Sequence, residues 1–393
     1  MRFRSHRIVV LSLIVVTVLV GCGDAPTRPD HGSYSTDPVA ADYDARPSRG
    51  RGILVESLRL GERVSFADRI DPDLTWTRGG GVLGDHRGLV PGMNILSGAQ
   101  SDAAGNHGVL ASFGAIAGNG QSGGAGEKHL SISLLAFSSA DVARTAAADM
   151  ARADFEQGTD NVPIILPDYP AALSHWRPSV PTVGSWLTWQ NLVVRVYAQV
   201  LEPRAELLVD ILTKAYRTQL ADLEGFVPTA EADLPNLRID PDKLLTRIVQ
   251  TGEPQLDGQT GADTFAVYSP RAFALLSDRP SAILASLRAA SVSQIAVAHN
   301  KYLRRTASAE AAAAEAGRLA REGEGDYAAI PGIASLPTIS CWQAKLPDER
   351  NVGVNRFRCI VSRGVDVVVV LSYLEADVRH LAAAQYALLA QDR

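Results

Sequence analysis

The string RIDPD stands twice in the chain, at Arg69–Asp73 and at Arg238–Asp242, 169 positions apart. The same offset separates SAD at Ser139–Asp141 from SAE at Ser308–Glu310. A third landmark agrees at an offset near 172: NLVVRVYAQV (Asn191–Val200) and VDVVVVLS (Val365–Ser372) each run into a helix-patterned segment. Three landmarks in one order at nearly constant spacing mark a tandem duplication, so both halves must share a folding plan.

Local chemistry fills in that plan. Ser139 and Ser308 stand before alanine-rich segments, about 140–155 and 309–321, with an acid two residues on. That is a helix start. A strand pattern precedes each, LSISLLAF (Leu130–Phe137) and NKYLRR (Asn300–Arg305). In both DPD copies the first Asp is expected to cap a helix that opens on Pro, with Leu244, Leu245, Ile248 and Val249 recurring at helical spacing. Alternation in VVRVYAQV puts Arg195 and Tyr197 on one sheet face. The segment VDVVVVL is apolar on both faces, so it is expected in mid-sheet. The class is α+β, antiparallel sheets packed by helices, in two related domains at 53–228 and 229–393.

The N-terminus follows different rules. Met1–Arg7 holds three arginines and no acid, and Ile8–Val20 is an apolar run of 13 residues. A membrane-crossing helix needs about 20. The layout is that of a secretory signal over 1–21. Its exit, Leu19-Val20-Gly21-Cys22, resembles the lipobox of bacterial lipoproteins, which implies cleavage before Cys22 and a diacylglyceryl group on its thiol. Two acyl chains hold a protein to a bilayer where one does so marginally. Residues 22–52, rich in Pro, Asp, Ser, Gly and Arg, are expected to be a disordered tether. Without the signal the chain keeps 35 basic against 43 acidic residues and shows no basic stripe, which argues against a nucleic-acid partner.

Cys341 and Cys359 flank a strand–polar loop–strand pattern and are expected to form a disulfide. A metal would need further ligands nearby, and none lies at ligand spacing. In the first half, Trp186, Leu187 and Trp189 occupy the matching strand, so apolar packing is expected to replace the bridge.

The tail CW…FRCIVSRGVDVVVVLS…AAAQYALLA, the block FAVYSPRAFALLSDRP and the lipobox resemble an actinobacterial lipoprotein family. That family has nocardial and mycobacterial members and is built of a domain of unknown function. The resemblance is strongest from Asp263 onward. It implies an exported, membrane-anchored protein with a paired-cysteine C-terminal hairpin, and it carries no established activity.

Catalytic motifs fail on context. Gly118, Gly120 and Gly123 fit G-x-G-x-x-G, and Gly120, Ser122 and Gly124 fit G-x-S-x-G. The first needs a helix to follow and the second a strand–turn–helix elbow, whereas a strand follows here. The eight histidines are scattered and form no H-x-x-x-H pair. No catalytic residue, cofactor or metal site is therefore assigned. Tyr169, Trp176, Trp186 and Trp189 read as core before they read as a binding patch. The expected role is binding or scaffolding on the outer face of the cytoplasmic membrane, with an envelope lipid, glycan or protein as partner. The alternatives are an envelope hydrolase and a purely structural lipoprotein. A cleft between the repeats, bordered by the glycine-rich loop, is the expected site.

Overall fold

The structure, a computed structural model, describes residues 29–39, 42–85, 88–89, 95–120, 126–251, 264–322, 325–345 and 356–391. Cys22 and Ser122 lie outside them.

Each repeat builds one seven-stranded antiparallel sheet. In the first, β1 (Trp76–Val82), β2 (Ala111–Gly118), β3 (His129–Ala136), β4 (Val162–Pro163), β5 (Leu173–Trp176), β6 (Thr182–Trp189) and β7 (Leu192–Gln199) lie in the order β1-β2-β3-β7-β6-β5-β4. In the second, β8 (Phe265–Tyr268), β9 (Gln294–Ala298), β10 (Lys301–Arg305), β11 (Tyr327–Ile330), β12 (Ile339–Ala344), β13 (Phe357–Arg363) and β14 (Asp366–Ser372) lie in the order β8-β9-β10-β14-β13-β12-β11. The two orders coincide strand for strand, which is the duplication in three dimensions. The apolar segment of each copy, β7 or β14, takes the centre of its sheet.

Helices cover both faces. α1 (Arg49–Gly61) and α4 (Ala205–Leu223) pack on one face of the first sheet, and α2 (Gly98–Asn106) and α3 (Ala140–Phe155) on the other. The second repeat carries α5 (Pro270–Ala274) and α6 (Pro280–Ala289), then α7 (Ala309–Glu322) and α8 (Glu375–Ala390) on its two faces. The serine caps form as expected: Ser139 accepts from Val142 N, and Ser308 from Ala311 N, each at 3.2 Å. Ala143, Ala146, Ala147 and Ala151 are the buried face of α3, and their small side chains let the helix lie close on the sheet.

Two expectations about helices and tethers need correction. The DPD copies start no α-helix. Asp240 does accept from Leu244 N at 2.6 Å and Leu245 N at 3.0 Å, but only a 3₁₀ turn, Leu245–Arg247, follows. Lys243 sits at φ +57°, a left-handed backbone that a helix cannot pass through. In the first copy, Asp71 and Asp73 instead hold Lys128, at 2.6 and 2.7 Å. The stretch expected to be a loose tether is packed in its described part. Asp44 accepts from Ile239 N and Asp240 N, and Arg51, 6 % exposed, donates to the carbonyls of Tyr43, Arg46, Pro235 and Leu237.

The repeats are joined tightly. Leu54 and Leu58 of α1 enter the core of the second repeat, while Leu60 enters that of the first. Arg271 donates to the carbonyls of Glu62 and Val64 and pairs with Asp222, and the Arg279 guanidinium lies 4.3 Å from the Trp76 ring centre. The junction cavity bordered by Ala67, Thr77, Leu275 and Pro280 measures about 20 Å³, room for about one water. Around this cavity the described residues of the two repeats pack closely, and residues 121–125 of the glycine-rich loop expected to border a cleft lie outside them.

Candidate functional site

One open space lies inside the first repeat. A cavity of about 260 Å³ sits where the C-terminal end of α3 meets β5 and β6, lined by Asp154, Asn161, His175, Trp176, Arg177 and Tyr197 among others. Its polar side chains are placed by the sheet register. His175 on β5 opposes Gly184 on β6, which opposes Tyr197 on β7, so all three share the face beneath α3. Gly184 is needed there: a Cβ would stand 2.8 Å from the Trp186 ring and 3.1 Å from Asp154 Oδ2. Its absence lets Asp154 reach down to the sheet.

Asp154 is held from two sides. Its Oδ2 lies 3.0 Å from His175 Nε2, and its Oδ1 accepts from the Gln100 amide of α2. Burial would push its carboxyl upward, but the hydrogen bonds from His175 and Gln100 outweigh this and hold it below the usual range. It is thus a carboxylate at neutral pH. The His175 ring stacks on Trp186 at 5.4 Å and meets Phe155 edge-on at 5.3 Å. Asn161 anchors the far wall by donating to the Phe155 carbonyl at 2.8 Å. Arg177 is the cation of the cavity. Among the described residues no carboxylate pairs with it, and its buried Nε has no hydrogen-bond partner.

Behind the cavity the same face carries a second guanidinium. Arg195 on β7, 5 % exposed, is flanked by its register partners Ser133 on β3 and Trp186 on β6. It reaches Ser131 Oγ at 3.3 Å and lies 5.3 Å from the Tyr197 ring centre. Burial pulls its pKa down to about 10, with Asp154 opposing the shift. Four buried polar atoms in this layer have no hydrogen-bond partner: Gln100 Oε1, Ser133 Oγ, Trp186 Nε1 and Arg195 Nε. Buried polar groups are nearly always satisfied, so such a concentration marks a place built for polar contents.

The sequence-level candidates fall as follows. Arg195 and Tyr197 do share a face. Trp186 is core and Trp176 lines the cavity. Gly118 and His129, on either side of the glycine-rich segment, are register partners on the antiparallel strands β2 and β3, and residues 121–125 lie outside the described residues. No group of three metal-ligating side chains occurs among the described residues. Asp154, His175 and Arg177 were not legible as a set, because they come from a helix end and a strand 21 residues away.

The disulfide-distance cysteines lie elsewhere. Cys341 on β12 and Cys359 on β13 are register partners with Cα atoms 4.1 Å apart, on the face covered by α8. Their counterparts can be counted out. The β13–β14 hairpin closes on Arg363 and Asp366, and the β6–β7 hairpin on Trp189 and Leu192. Four residues back from the first member stand Cys359 and Ser185, whose cross-strand partners are Cys341 and Ser174. Ser174 and Ser185 hydroxyls lie 2.6 Å apart, and Tyr216 of α4 donates to Ser185 at 2.7 Å. A buried hydrogen-bond chain therefore replaces the bridge, and not the packing of Trp186, Leu187 and Trp189.

No curated protein matches the chain. One solved structure that it resembles is the extracellular domain of PknH from Mycobacterium tuberculosis, at 12 % identity and a TM-score of 0.28, over 43 % of this chain and 94 % of that one. Residues 43–239 match the domain of unknown function DUF7373, N-terminal, and residues 244–392 match its C-terminal partner. With both halves matched in order, the chain belongs to the DUF7373 family.

Proposed function

We propose that the chain is a lipid-anchored binding protein on the outer face of the cytoplasmic membrane, and that its first repeat takes a small ligand carrying both signs of charge. The supporting observation is the cavity of about 260 Å³ that holds a carboxylate, Asp154, and an unpaired guanidinium, Arg177. An acid group on a ligand would meet the unpaired Arg177, and an ammonium on it would add to the partners of Asp154. Trp176, Val180 and Val183 offer it apolar wall. Such a mixture of apolar lining and few placed polar groups is the common make-up of small-molecule sites. The anchored location rests on the signal layout and on Cys22.

Native mass spectrometry of protein extracted from its own membranes tests the reading. A bound mass is expected in wild type and absent from Asp154→Asn and Arg177→Met, since each charged hydrogen bond is worth about 1.5–3 kcal/mol, roughly 10- to 150-fold in affinity. Bare wild-type protein would overturn the binding role. Conversion of the bound molecule, lost in His175→Gln, would replace binding by hydrolysis. For the anchor, labelled palmitate should enter wild type and not Cys22→Ala.

A further inference from the structure

The anchor and the fold are closer together than a long tether would put them. From Asp30 onward the chain runs along α8. The Thr36 carbonyl accepts from Gln391, at the C-terminal end of that helix, at 2.7 Å. Asp30 lies 3.2 Å from His380, eleven residues earlier on it. Gly32, at φ +57°, passes so close to His380 that a Cβ would stand 2.8 Å from the ring. Tyr34 donates to Asp377 at 2.5 Å, in the first turn of α8. Tyr34, Gly32 and Asp30 thus all meet the first two turns of α8, so the chain leaves the described residues near that helix's N-terminal end. Cys22 stands eight positions before Asp30, a stretch that spans at most about 28 Å when fully extended.

What stands at that end of α8 suits a bilayer surface. The turn from β14 into α8 presents Leu374, 61 % exposed, and Tyr373, 43 % exposed. The Arg356 guanidinium lies 6.0 Å from the Tyr373 ring centre and 5.5 Å from that of Phe357. Glu375 beside them is paired with Arg379 at 2.9 Å. An exposed leucine, a tyrosine and an arginine together are the residues favoured at the headgroup boundary, where an apolar body and a polar tip are both satisfied.

We infer that the β14–α8 turn, through Tyr373 and Leu374, rests on the bilayer that holds Cys22, so that the second repeat is the membrane-proximal one. This rests on the lipid-anchored reading above. The first repeat supplies its own control. Leu201, in the turn from β7 into α4, is 56 % exposed, while the described N-terminal segment packs on α8 of the other repeat.

The test uses full-length lipidated protein in vesicles of phosphatidylethanolamine and phosphatidylglycerol, with an environment-sensitive dye on Leu374→Cys or Leu201→Cys. With Cys22 acylated and Cys341 bridged to Cys359, the introduced thiol is the one that reacts. Dye at 374 should emit at shorter wavelength when the protein is vesicle-bound and be quenched by brominated lipid several-fold more than dye at 201. Equal, water-like emission at both positions on protein that floats with the vesicles would overturn the contact while leaving the anchor standing. Protein that fails to float would overturn the anchored reading, and the contact with it.

Discussion

Beneath α7, the buried guanidinium of Arg304 meets Glu315, which Arg318 also holds at 2.6 Å. Beneath α3, that of Arg195 meets a serine hydroxyl and a tyrosine ring, and its Nε meets nothing. On the opposite faces the contrast recurs: a covalent cysteine pair under α8, two serines and a tyrosine under α4. One backbone plan thus carries two solutions. Each repeat keeps an orphan guanidinium Nε, on Arg195 and on Arg304, but in the second the buried charge meets a carboxylate of its own chain, whereas in the first it lies behind a cavity.

The largest effect should come from Glu315→Ala. It strands Arg304 in the interior, a loss of about 3–5 kcal/mol. Arg195 has no salt-bridged carboxylate, only the longer-range pull of Asp154, so Arg195→Met should cost less than Glu315→Ala. Denaturant unfolding of both variants checks this, and equal losses would erase the distinction between the repeats. Next, reduction of the Cys341–Cys359 bridge, which closes a loop of 18 positions, should remove roughly 3 kcal/mol from the second repeat in the chain-entropy model. Hydrogen exchange read by mass spectrometry should rise around β12 and β13 and stay unchanged around β5 and β6. The Ser174→Cys, Ser185→Cys double variant sharpens the equivalence. It should form a bridge on export, seen as one linked peptide, and gain up to about 3 kcal/mol. Two free thiols would show that the shared register does not extend to side-chain geometry.

The smallest effect concerns pH. Burial, with Asp44 nearby, raises the Asp240 carboxyl from 3.8 to about 6, against the hydrogen bonds from Leu244 and Leu245 that lower it. The folded state therefore holds this proton more tightly than the unfolded chain. The stability it contributes is complete below about pH 4 and is lost as pH rises through about 6. Asp240→Asn should flatten the melting-temperature profile in that window. The first repeat has Asp71 at this place, paired with Lys128.

Much of the architecture was legible. Alternating strands, serine-capped alanine helices and the apolar VDVVVVL segment each encode their state locally, and the duplicated landmarks encode that the sheets match. The DPD turns were misread because Lys243 adopts a left-handed backbone that its residue type does not announce. The serine pair was hidden because register, and not sequence similarity, equates Ser185 with Cys359. The site was illegible for a similar reason. Arg195 stood out in its strand, but Asp154, His175 and Arg177 acquire meaning only when α3 is laid on β5. The contacts of Arg271 and Arg279 across the junction were equally hidden, since neither residue carries a mark of facing another domain.

Helix α1 has a consequence for how the molecule is made. A chain delivered N-terminus first completes the earlier sheet while Leu54 and Leu58 still have no partner, because the surface that receives them has yet to emerge. Until then the nascent half carries a greasy stripe. Its burial at the end clasps the finished halves together, and cutting the chain between them would leave one fragment sticky and the other with a hole.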